Sequence, residues 1–568
     1  MNPLAVLLLP ILCWAPLVTQ GAAIVPISQT VGFTNSANLN SPLGSNLSSV
    51  VDFSSELPFV NHMRMARPWF SASSTTFQDN RPLQLDLNGN VLSLEPGQFA
   101  RTVVFTGTPA DPGLAGKGFH LFYKGQGRLS YNNVDVLSQS PGHDVIRLRT
   151  ISGSDTELTA IITIEQTDIA DPVRDLRLVL PGGICVKNPL QRVKGVNDCP
   201  PDEFLAFSRH DQDILFNPEF LQRIQSYRSL RFMDWMRTNN STQTSFDKRP
   251  LPQHQFWSTE SGVPLEVMIA LVNLMDMDPW FNIPHLANDD YVRAFATLVD
   301  QDMEPGRRAY IEYSNEVWNG LFTQTGYATK KGIQLGLNIL DNGQIDDATG
   351  MVRFYSRRAQ RIFDLFSEVM GGSDRIRRVM ATQAVVPYFT EEILKFGKAR
   401  SKTDVFAIAP YFGDTIVDQT KRDELLSLGV DGVFDWLQND NNAVLDFGSL
   451  PSIDRVILNQ LQVLRQFGIP LTSYEGGQHF LAAGSLSNDA ELNNLMDALN
   501  RDPRMKSIYL AYLKKWRKRT GEVFHHYVHT DRWSVFGRWG ALEFPSQKLK
   551  DAPKFNALMT YIETTPLP

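Results

Sequence analysis

The spacing of apolar residues divides this chain into regions of different structure. From about residue 184 onward, short segments rich in β-branched and aromatic residues alternate with longer segments whose apolar residues recur at helical spacing. Strands that alternate with helices pair in parallel through crossover connections. Seven segments predict strands: LRFMDWM (230–236), DPWFNIP (278–284), RAYIEYSNE (308–316), IRRVMATQA (376–384), VFAIAPY (405–411), IPLTSYEG (469–476) and EVFHHYV (522–528).

Helices are predicted between these strands. VPLEVMIALVNLM (263–275) has Pro264 near its start, where the missing N–H leaves no helical bond unmade. ANDDYVRAFATLVDQ (287–301) opens with acidic residues, and YSRRAQRIFDLFSEVMGG (355–372) ends at two glycines. An eighth strand is needed to close a ring, and SNLSSVVDFS (45–54) is the candidate. The pattern therefore predicts an α/β fold, a (β/α)8 TIM barrel.

A different pattern lies between the first and second of these strands. Residues 99–183 hold short segments of strand character, such as HDVIRLRTISG and ELTAIITIEQT, separated by turn clusters and with little helical period. They predict a small antiparallel β-sandwich inserted into the barrel. The predicted organisation is the start of the barrel with its first strand in 24–98, the sandwich in 99–183 and the remainder of the barrel in 184–568.

The amino-terminal segment MNPLAVLLLPILCWAPLVTQGAA (1–23) predicts a secretory signal peptide. Its apolar run is too short and too interrupted by proline to span a bilayer, and small residues follow it. We therefore expect a secreted, extracellular protein without a membrane anchor. Removal of the segment leaves two of the three cysteines, Cys185 and Cys199. An even pair in a secreted chain favours a disulfide over two free thiols.

Charge and short motifs bear on three kinds of partner: nucleic acid, metal ions and N-glycans. The 568 residues carry a formal net charge of −7, which gives no reason to expect a nucleic-acid partner. The run FHHYVH suggests metal binding, but strand alternation sends His525 and His526 to opposite faces, so no metal site and no cofactor are predicted. Three sequons permit N-glycans in a eukaryotic host, at Asn46, Asn239 and Asn240.

Two glutamates mark the predicted active face, which in such barrels lies at the carboxyl ends of the strands. Glu316 ends strand four and Glu475 lies on strand seven, and these strands face one another across the mouth of a closed ring. The arrangement suits a retaining glycoside hydrolase, whose two carboxyl groups stand about 5–5.5 Å apart. One carboxyl group must stay protonated as acid and the other ionised as nucleophile, so we predict Glu316 as acid/base and Glu475 as nucleophile.

Other polar and aromatic residues at strand ends are candidates for substrate binding. Asn315 can bind a sugar 2-hydroxyl, and Tyr411 and Arg231 can hold Glu475 ionised. Arg231 can equally serve as a structural ion-pair partner of Asp234 or Glu312. Trp318 either offers its face to a sugar ring or packs behind its loop. The remaining candidates are Asn282, His285, which could be a core histidine instead, Gln383, Trp533 and Trp539.

These residues resemble the pattern of clan A of the glycoside hydrolases. That pattern has an arginine on strand two, a histidine on strand three, Asn-Glu ending strand four, a tyrosine on strand six, a nucleophilic glutamate ending strand seven and a tryptophan after strand eight. The matching residues here are Arg231, His285, Asn315, Glu316, Tyr411, Glu475 and Trp539, with Trp533 as the competing match. More narrowly, RFMDWMRTN, WFNIPHLANDDYVRAFA and YIEYSNEVWNG resemble secreted proteins described as cellulose-binding proteins or glycanases.

The resemblance implies hydrolysis of a β-linked polysaccharide, such as a β-glucan or a cellulose-like chain, with net retention. The expected partner is accordingly a polysaccharide or oligosaccharide substrate. Two alternatives remain at this point: a transglycosylase that uses the same glutamate pair, and a carbohydrate-binding protein whose barrel does not turn over. The presence of both glutamates argues against the second, because binding alone needs no nucleophile.

Overall fold

A computed structural model describes residues 34–110, 114–151, 156–445 and 447–567 of the chain. The predicted signal peptide, 1–23, lies outside these residues. No helix in the described ranges is long and apolar enough to cross a membrane.

Eight parallel strands form one barrel-like sheet, as the alternation of strands and helices predicted. Each of the first seven strands pairs in parallel with the next or preceding one in chain order, and the eighth pairs with the first. Side chains rather than a backbone ladder join the last two strands, since Thr472 Oγ1 donates to the Val523 carbonyl (2.7 Å). The strands are Leu43–Asn46 (β1), Ser229–Arg231 (β2), Asp278–Ile283 (β3), Ala309–Tyr313 (β4), Ile376–Ala381 (β5), Val405–Ile408 (β6), Leu471–Ser473 (β7) and Phe524–His526 (β8).

Side chains fill the interior of the barrel, which is therefore a packed core and not a pore. Trp280 and Tyr310 stack at 4.9 Å between ring centroids, and His525 of β8 meets both rings edge-on. The inner cluster consists of Trp280, Tyr310, Val379, Val405, Ala407 and Tyr474. The floor of the candidate site is thus fixed by large buried side chains.

Helices surround the barrel, and the three predicted ones are present. The helix Asp289–Asp302 starts where Asn288 Oδ1 accepts from the Tyr291 N–H (2.7 Å), which satisfies one of its free amides. The α-helices of the described ranges are Phe207–His210, Pro218–Ile224, Leu265–Met275, Asp289–Asp302, Thr323–Gln334, Asp347–Val369, Pro387–Lys395, Ala399–Lys402, Gln419–Asn439, Leu450–Phe467, Ala490–Arg501, Arg504–Thr520 and Pro553–Thr564.

Two antiparallel four-stranded sheets form the inserted domain between β1 and β2. One sheet contains a strand, Phe70–Ala72, that lies before the predicted boundary at residue 99, because this short segment pairs with the edge of Phe99–Pro109. The first sheet is Phe70–Ala72, Phe99–Pro109, Glu157–Thr167 and Gly127–Asn132; the second is Arg174–Val179, Gly118–Lys124, His143–Leu148 and Val134–Ser140.

Shorter strands complete the described structure. The three-stranded sheet carries the disulfide between Cys185 and Cys199, whose Cα atoms are 5.5 Å apart, so the predicted pairing is confirmed. Its strands are Gly183–Cys185, Asn188–Val193 and Phe204–Ala206; the two-stranded sheets pair Gln84–Leu85 with Val91–Ser93 and Thr415–Ile416 with Leu481–Ala482.

Candidate active site

Glu316 and Glu475 both lie just past the carboxyl ends of their strands. Glu316 follows β4 by three residues and has a φ of 41°, in the left-handed region that non-glycine residues seldom occupy. Ser314 also has a positive φ, of 60°. Such conformations persist only where surrounding contacts enforce them and are concentrated at functional sites. Glu475 follows β7 by two residues and is 6 % exposed.

Arg231 connects the carboxyl ends of four strands from the centre of the barrel. It is fully buried, and its Nη1 donates to Glu475 Oε1 at 2.7 Å and to Asn46 Oδ1 at 3.1 Å. Its Nε and Nη2 donate to Glu312 Oε2 at 3.2 and 2.9 Å, and Nη2 also donates to Asn315 Oδ1 at 2.7 Å. All five guanidinium N–H groups are therefore used. Arg231 makes both of its predicted kinds of contact, since it contacts Glu475 and forms an ion pair with Glu312.

Each candidate catalytic carboxyl group accepts a hydrogen bond from a different tyrosine. The Tyr411 hydroxyl donates to Glu475 Oε2 (2.9 Å), which is the contact predicted from the sequence. The Tyr474 hydroxyl donates to Glu316 Oε1 (3.0 Å), and Asn319 Nδ2 donates to Glu316 Oε2 (2.8 Å). Because Tyr474 immediately precedes Glu475, this bond brings the loops after β4 and β7 together at one place.

The two glutamates differ in their electrostatic environment. Burial, and then the negative charge of Glu475, raise the pKa of Glu316 to about 7. Glu475 contacts the Arg231 guanidinium directly, whereas Glu316 accepts only from a phenol and an amide. The arrangement therefore keeps a proton on Glu316 near neutral pH, as a general acid requires.

Asn315 is held by hydrogen bonds on both ends of its side-chain amide. Its Oδ1 accepts from Arg231, and its Nδ2 donates to Asn239 Oδ1 (3.1 Å). Gln324 holds both asparagines in place, because its Nε2 donates to Asn239 Oδ1 (2.8 Å) and to the Asn315 backbone carbonyl (2.9 Å). An amide nitrogen carries two N–H groups, so Asn315 keeps one for a substrate hydroxyl.

Aromatic residues form the rim on the side of Glu475. Trp539 Nε1 donates to His479 Nδ1 (3.1 Å), and its ring lies edge-on to Tyr527 at 6.0 Å. The His479 ring in turn lies 5.2 Å from that of Tyr411. Burial lowers the pKa of His479 to about 4, so the ring is neutral and can accept this bond. Trp539 is thus connected through His479 to Tyr411, which donates to Glu475.

Four residues near the glutamates were not predicted as site residues: Asp234, which was considered only as an ion-pair partner of Arg231, Tyr474, His479 and Tyr527. Tyr474 and Tyr527 had a usable signal, because one immediately precedes Glu475 and the other directly follows β8. Asp234 and His479 had none, since their partners come from other strands.

The structure contradicts substrate binding by Asn282, whereas substrate binding by Trp533 stays a prediction. Asn282 is fully buried within β3, where its Nδ2 donates to Glu312 Oε2 and to the Ser314 carbonyl, both at 2.7 Å. It supports the buried carboxylate and cannot reach a sugar. Trp533 packs elsewhere, with the Lys554 ammonium 4.4 Å from its ring centroid and its Nε1 bonded to the Gly540 carbonyl.

Three further candidates have more limited contacts. Trp318 packs against the hydrophobic core with its buried Nε1 unpaired among the described residues, which favours packing behind the loop over sugar stacking. His285 is 4 % exposed, and burial lowers its pKa to about 4; its ring packs edge-on against Tyr327. Gln383 is half-buried just after β5 and stays a prediction.

The three sequons differ in accessibility. Asn46 is 1 % exposed, and its Nδ2, the atom that would carry a glycan, donates to the carbonyls of Tyr474 and His526. Glycosylation of Asn46 is therefore a wrong prediction, because the amide belongs to the barrel interior. Asn239 accepts from Asn315 and Gln324, a supporting role in the site that a glycan would disturb. Asn240 is exposed and stays a prediction.

The described ranges contain no group of three or more His, Cys, Asp or Glu side chains placed to hold a metal ion. The three histidines of FHHYVH are separately engaged. His525 contacts Ser229 and Ser473, His526 contacts Tyr509, and His529 contacts Glu56.

Comparison with known proteins gives only distant similarities. No family model and no curated relative matches this chain. A 4-O-α-L-rhamnosyl-β-D-glucuronidase from Fusarium oxysporum 12S has a TM-score of 0.35 and 11 % identity over 59 % of this chain, and the match spans only 61 % of that protein. A Bacteroidetes-affiliated GH5 cellulase gives 0.34 and 12 %, over 61 % of this chain and 91 % of the cellulase.

A third structure, xylanase 10C from Cellvibrio japonicus, has a TM-score of 0.32 and 9 % identity over 87 % of this chain and 98 % of the xylanase. Similarity at this level says nothing about the activity of this chain. The assignment as a (β/α)8 barrel depends on the strand order and pairing described above.

Proposed function

We propose that this protein is a retaining glycoside hydrolase that cleaves a β-linked polysaccharide by double displacement. The observation that carries the proposal is that two carboxyl groups at the same end of the barrel have different hydrogen-bonding and ion-pair partners. Glu475 is bound by Arg231 and Tyr411. Glu316 has no ion pair with any of the described residues, and burial and the charge of Glu475 raise its pKa to about 7. A carboxyl group that keeps its proton near neutral pH, beside a second one held by a cation, is what acid and nucleophile require.

In the first step, the Glu475 carboxylate attacks the anomeric carbon while Glu316 transfers its proton to the departing glycosidic oxygen. The product is a glycosyl ester on Glu475, and Glu316 is left as a carboxylate. In the second step, Glu316 takes a proton from water, whose oxygen attacks the anomeric carbon and releases Glu475. The free N–H of Asn315 is available for the sugar 2-hydroxyl, a contact that strengthens in the transition state.

The test is a panel of β-glucans, cellulose and xylan with chromatographic analysis of products, comparing wild type with Glu475→Gln. We expect the variant to lose turnover while it keeps its fold and its sugar binding. Glu368→Gln is the matched control, because this glutamate is 48 % exposed in a surface ion pair. Near-normal turnover in Glu475→Gln would contradict the assignment of the nucleophile.

Glu316→Ala tests the acid separately. It should slow substrates with poor leaving groups far more than activated aryl glycosides, because only the former need protonation. An equal loss on both kinds of substrate contradicts the acid role. Adding a sugar acceptor to the same assay separates hydrolysis from transglycosylation, since a transglycosylase yields longer products.

We also propose that the protein is secreted. The amino-terminal apolar segment supports this, and so does the disulfide, which is typical of oxidising compartments. Expression of the full chain followed by amino-terminal sequencing of protein from the medium tests it. We expect the mature chain to begin near residue 24, and retention of the whole protein inside the cell contradicts secretion.

A further inference from the structure

A small hydrogen-bonded cluster lies at the mouth of the barrel and has no role in the double displacement. The Ser49 hydroxyl donates to Asp234 Oδ1 (3.2 Å), and the Tyr527 hydroxyl donates to Asp234 Oδ2 (3.2 Å). All three residues are half-buried, so they are neither core residues nor free surface. They follow β1, β2 and β8, three neighbouring strands, and therefore form one continuous part of the wall.

This cluster is next to Glu475. The Tyr527 N–H donates to the carbonyl of Gly476, the residue after Glu475 (3.0 Å). Burial, and then the charge of Glu475, raise the pKa of Asp234 to about 6, and Arg237 opposes this only weakly. Glu316 follows β4, on the other side of the ring from β8, β1 and β2.

The position on the ring tells which sugar unit the cluster faces. Glu316 gives its proton to the departing oxygen, so the departing unit lies on the β4 side. The unit that becomes bound to Glu475 extends toward the opposite wall. We propose that Ser49, Asp234 and Tyr527 bind hydroxyl groups of this retained unit, and that Asp234 selects an uncharged sugar over a uronic acid. This inference rests on the proposed function.

The selection follows from charge and from free hydrogen-bonding capacity. Each oxygen of Asp234 accepts one bond from the protein and can accept another, so the carboxylate can take two sugar hydroxyl donors. A uronic carboxylate has no proton to donate, and its charge would lie beside Asp234 and Glu475. Arg231 has no free N–H with which to bind a uronic carboxylate, because its five N–H groups are already bonded.

The first experiment compares Asp234→Ala and Asp234→Asn with wild type on 4-nitrophenyl β-glucoside, β-xyloside, β-cellobioside and β-glucuronide. We expect Asp234→Ala to lower kcat/KM on the neutral glycosides by about 10- to 100-fold, as for one lost hydrogen bond to a charged group. The ratio of neutral glycoside to glucuronide should fall in both variants. Asp423→Asn is the matched control, at an aspartate that is 60 % exposed on an outer helix.

Monodeoxy analogues of the best neutral substrate separate binding from a structural role. Removing the hydroxyl that Asp234 binds should slow wild type about as much as Asp234→Ala does, and should slow Asp234→Ala hardly at all. A purely structural role gives no such coupling to one particular hydroxyl. Asp234→Asn keeps the shape of the side chain and gives the comparison if the alanine variant does not fold.

The outcomes distinguish this inference from the proposed function. Turnover that needs Glu475, with an unchanged neutral-to-uronide ratio and no coupling to any hydroxyl, overturns the inference alone. If wild type hydrolyses no glycoside, the affinities of wild type and Asp234→Ala for cello- and xylo-oligosaccharides are compared by calorimetry. Weaker binding in Asp234→Ala then supports the inference and overturns the hydrolase proposal, whereas equal binding overturns both.

Discussion

The charge of Glu475 should control the protonation of Glu316, and this coupling can be measured. Glu475→Gln removes one negative charge near a buried carboxyl group whose pKa is raised to about 7. Two unit charges about 5.5 Å apart interact by about 3 kcal/mol at an effective dielectric constant of about 20, and by about a quarter of that in water. Since one pKa unit equals about 1.4 kcal/mol, we expect the pKa of Glu316 to fall by about one to two units.

In this variant the charge of Arg231 also lowers the pKa of Glu316, because one carboxylate fewer neutralises the guanidinium. The assay is a pH titration of the Glu316 carboxyl carbon by ¹³C NMR in wild type and in Glu475→Gln. The signal is assigned by its disappearance in Glu316→Gln. Glu368→Gln, with its surface carboxylate removed, should leave the Glu316 titration where it is in wild type.

The kinetic consequence in wild type has a definite sign. The acid acts only while it is protonated, so kcat/KM should be sustained below pH 7 and fall about tenfold per pH unit above it. Activated aryl glycosides should show a weaker fall, because they need less protonation. The reasoning is refuted if the NMR midpoint of Glu316 is the same with and without the charge at position 475, or if the alkaline limb lies far from pH 7.

Three more predictions concern a hydrogen bond, the disulfide and a glycosylation site. Tyr411→Phe removes the phenol that donates to Glu475 and should lower kcat/KM about 10- to 100-fold without unfolding the protein; a loss confined to KM would contradict a role in the attack. Replacing Cys185 and Cys199 by alanine should lower the free energy of unfolding by about 3 kcal/mol in urea while leaving kcat unchanged, and equal stability would contradict the loop-closure reasoning. Mass spectrometry of protein made in a eukaryotic host should find a glycan at Asn240, and an unmodified Asn240 would contradict that prediction.

The barrel could be predicted because its signal is local and repeated. Each strand is a short apolar run, each helix has a 3.6-residue period, and the strands pair in chain order, so no long-range choice was needed. Strand ends were less certain. The first strand was predicted at 45–54 and is Leu43–Asn46, because the following residues turn away into the loop.

The candidate site was predictable only where the chemistry is carried by one residue type at a strand end. Glu316 and Glu475 met that condition. Trp533 and Trp539 lie in one loop, and nothing in their neighbours tells which one faces Tyr527. Asp234 depends on partners that come from β1 and β8 only after folding. Long-range pairing also explains why the sandwich starts at Phe70, before the turn-rich region.

Arg231 links the stability of the barrel to the chemistry at its mouth. Three carboxyl groups lie around it, and it contacts Glu312 and Glu475 but not Glu316. A lysine could not replace it, since an ammonium has three N–H groups and no planar fork. Burying an ion pair contributes little net stability, yet leaving one partner unpaired is costly. The buried arginine is therefore better explained by the order it imposes. It fixes Glu475 and Asn315 in place, and among the described residues Glu316 is the one carboxyl group of the three without a cationic contact.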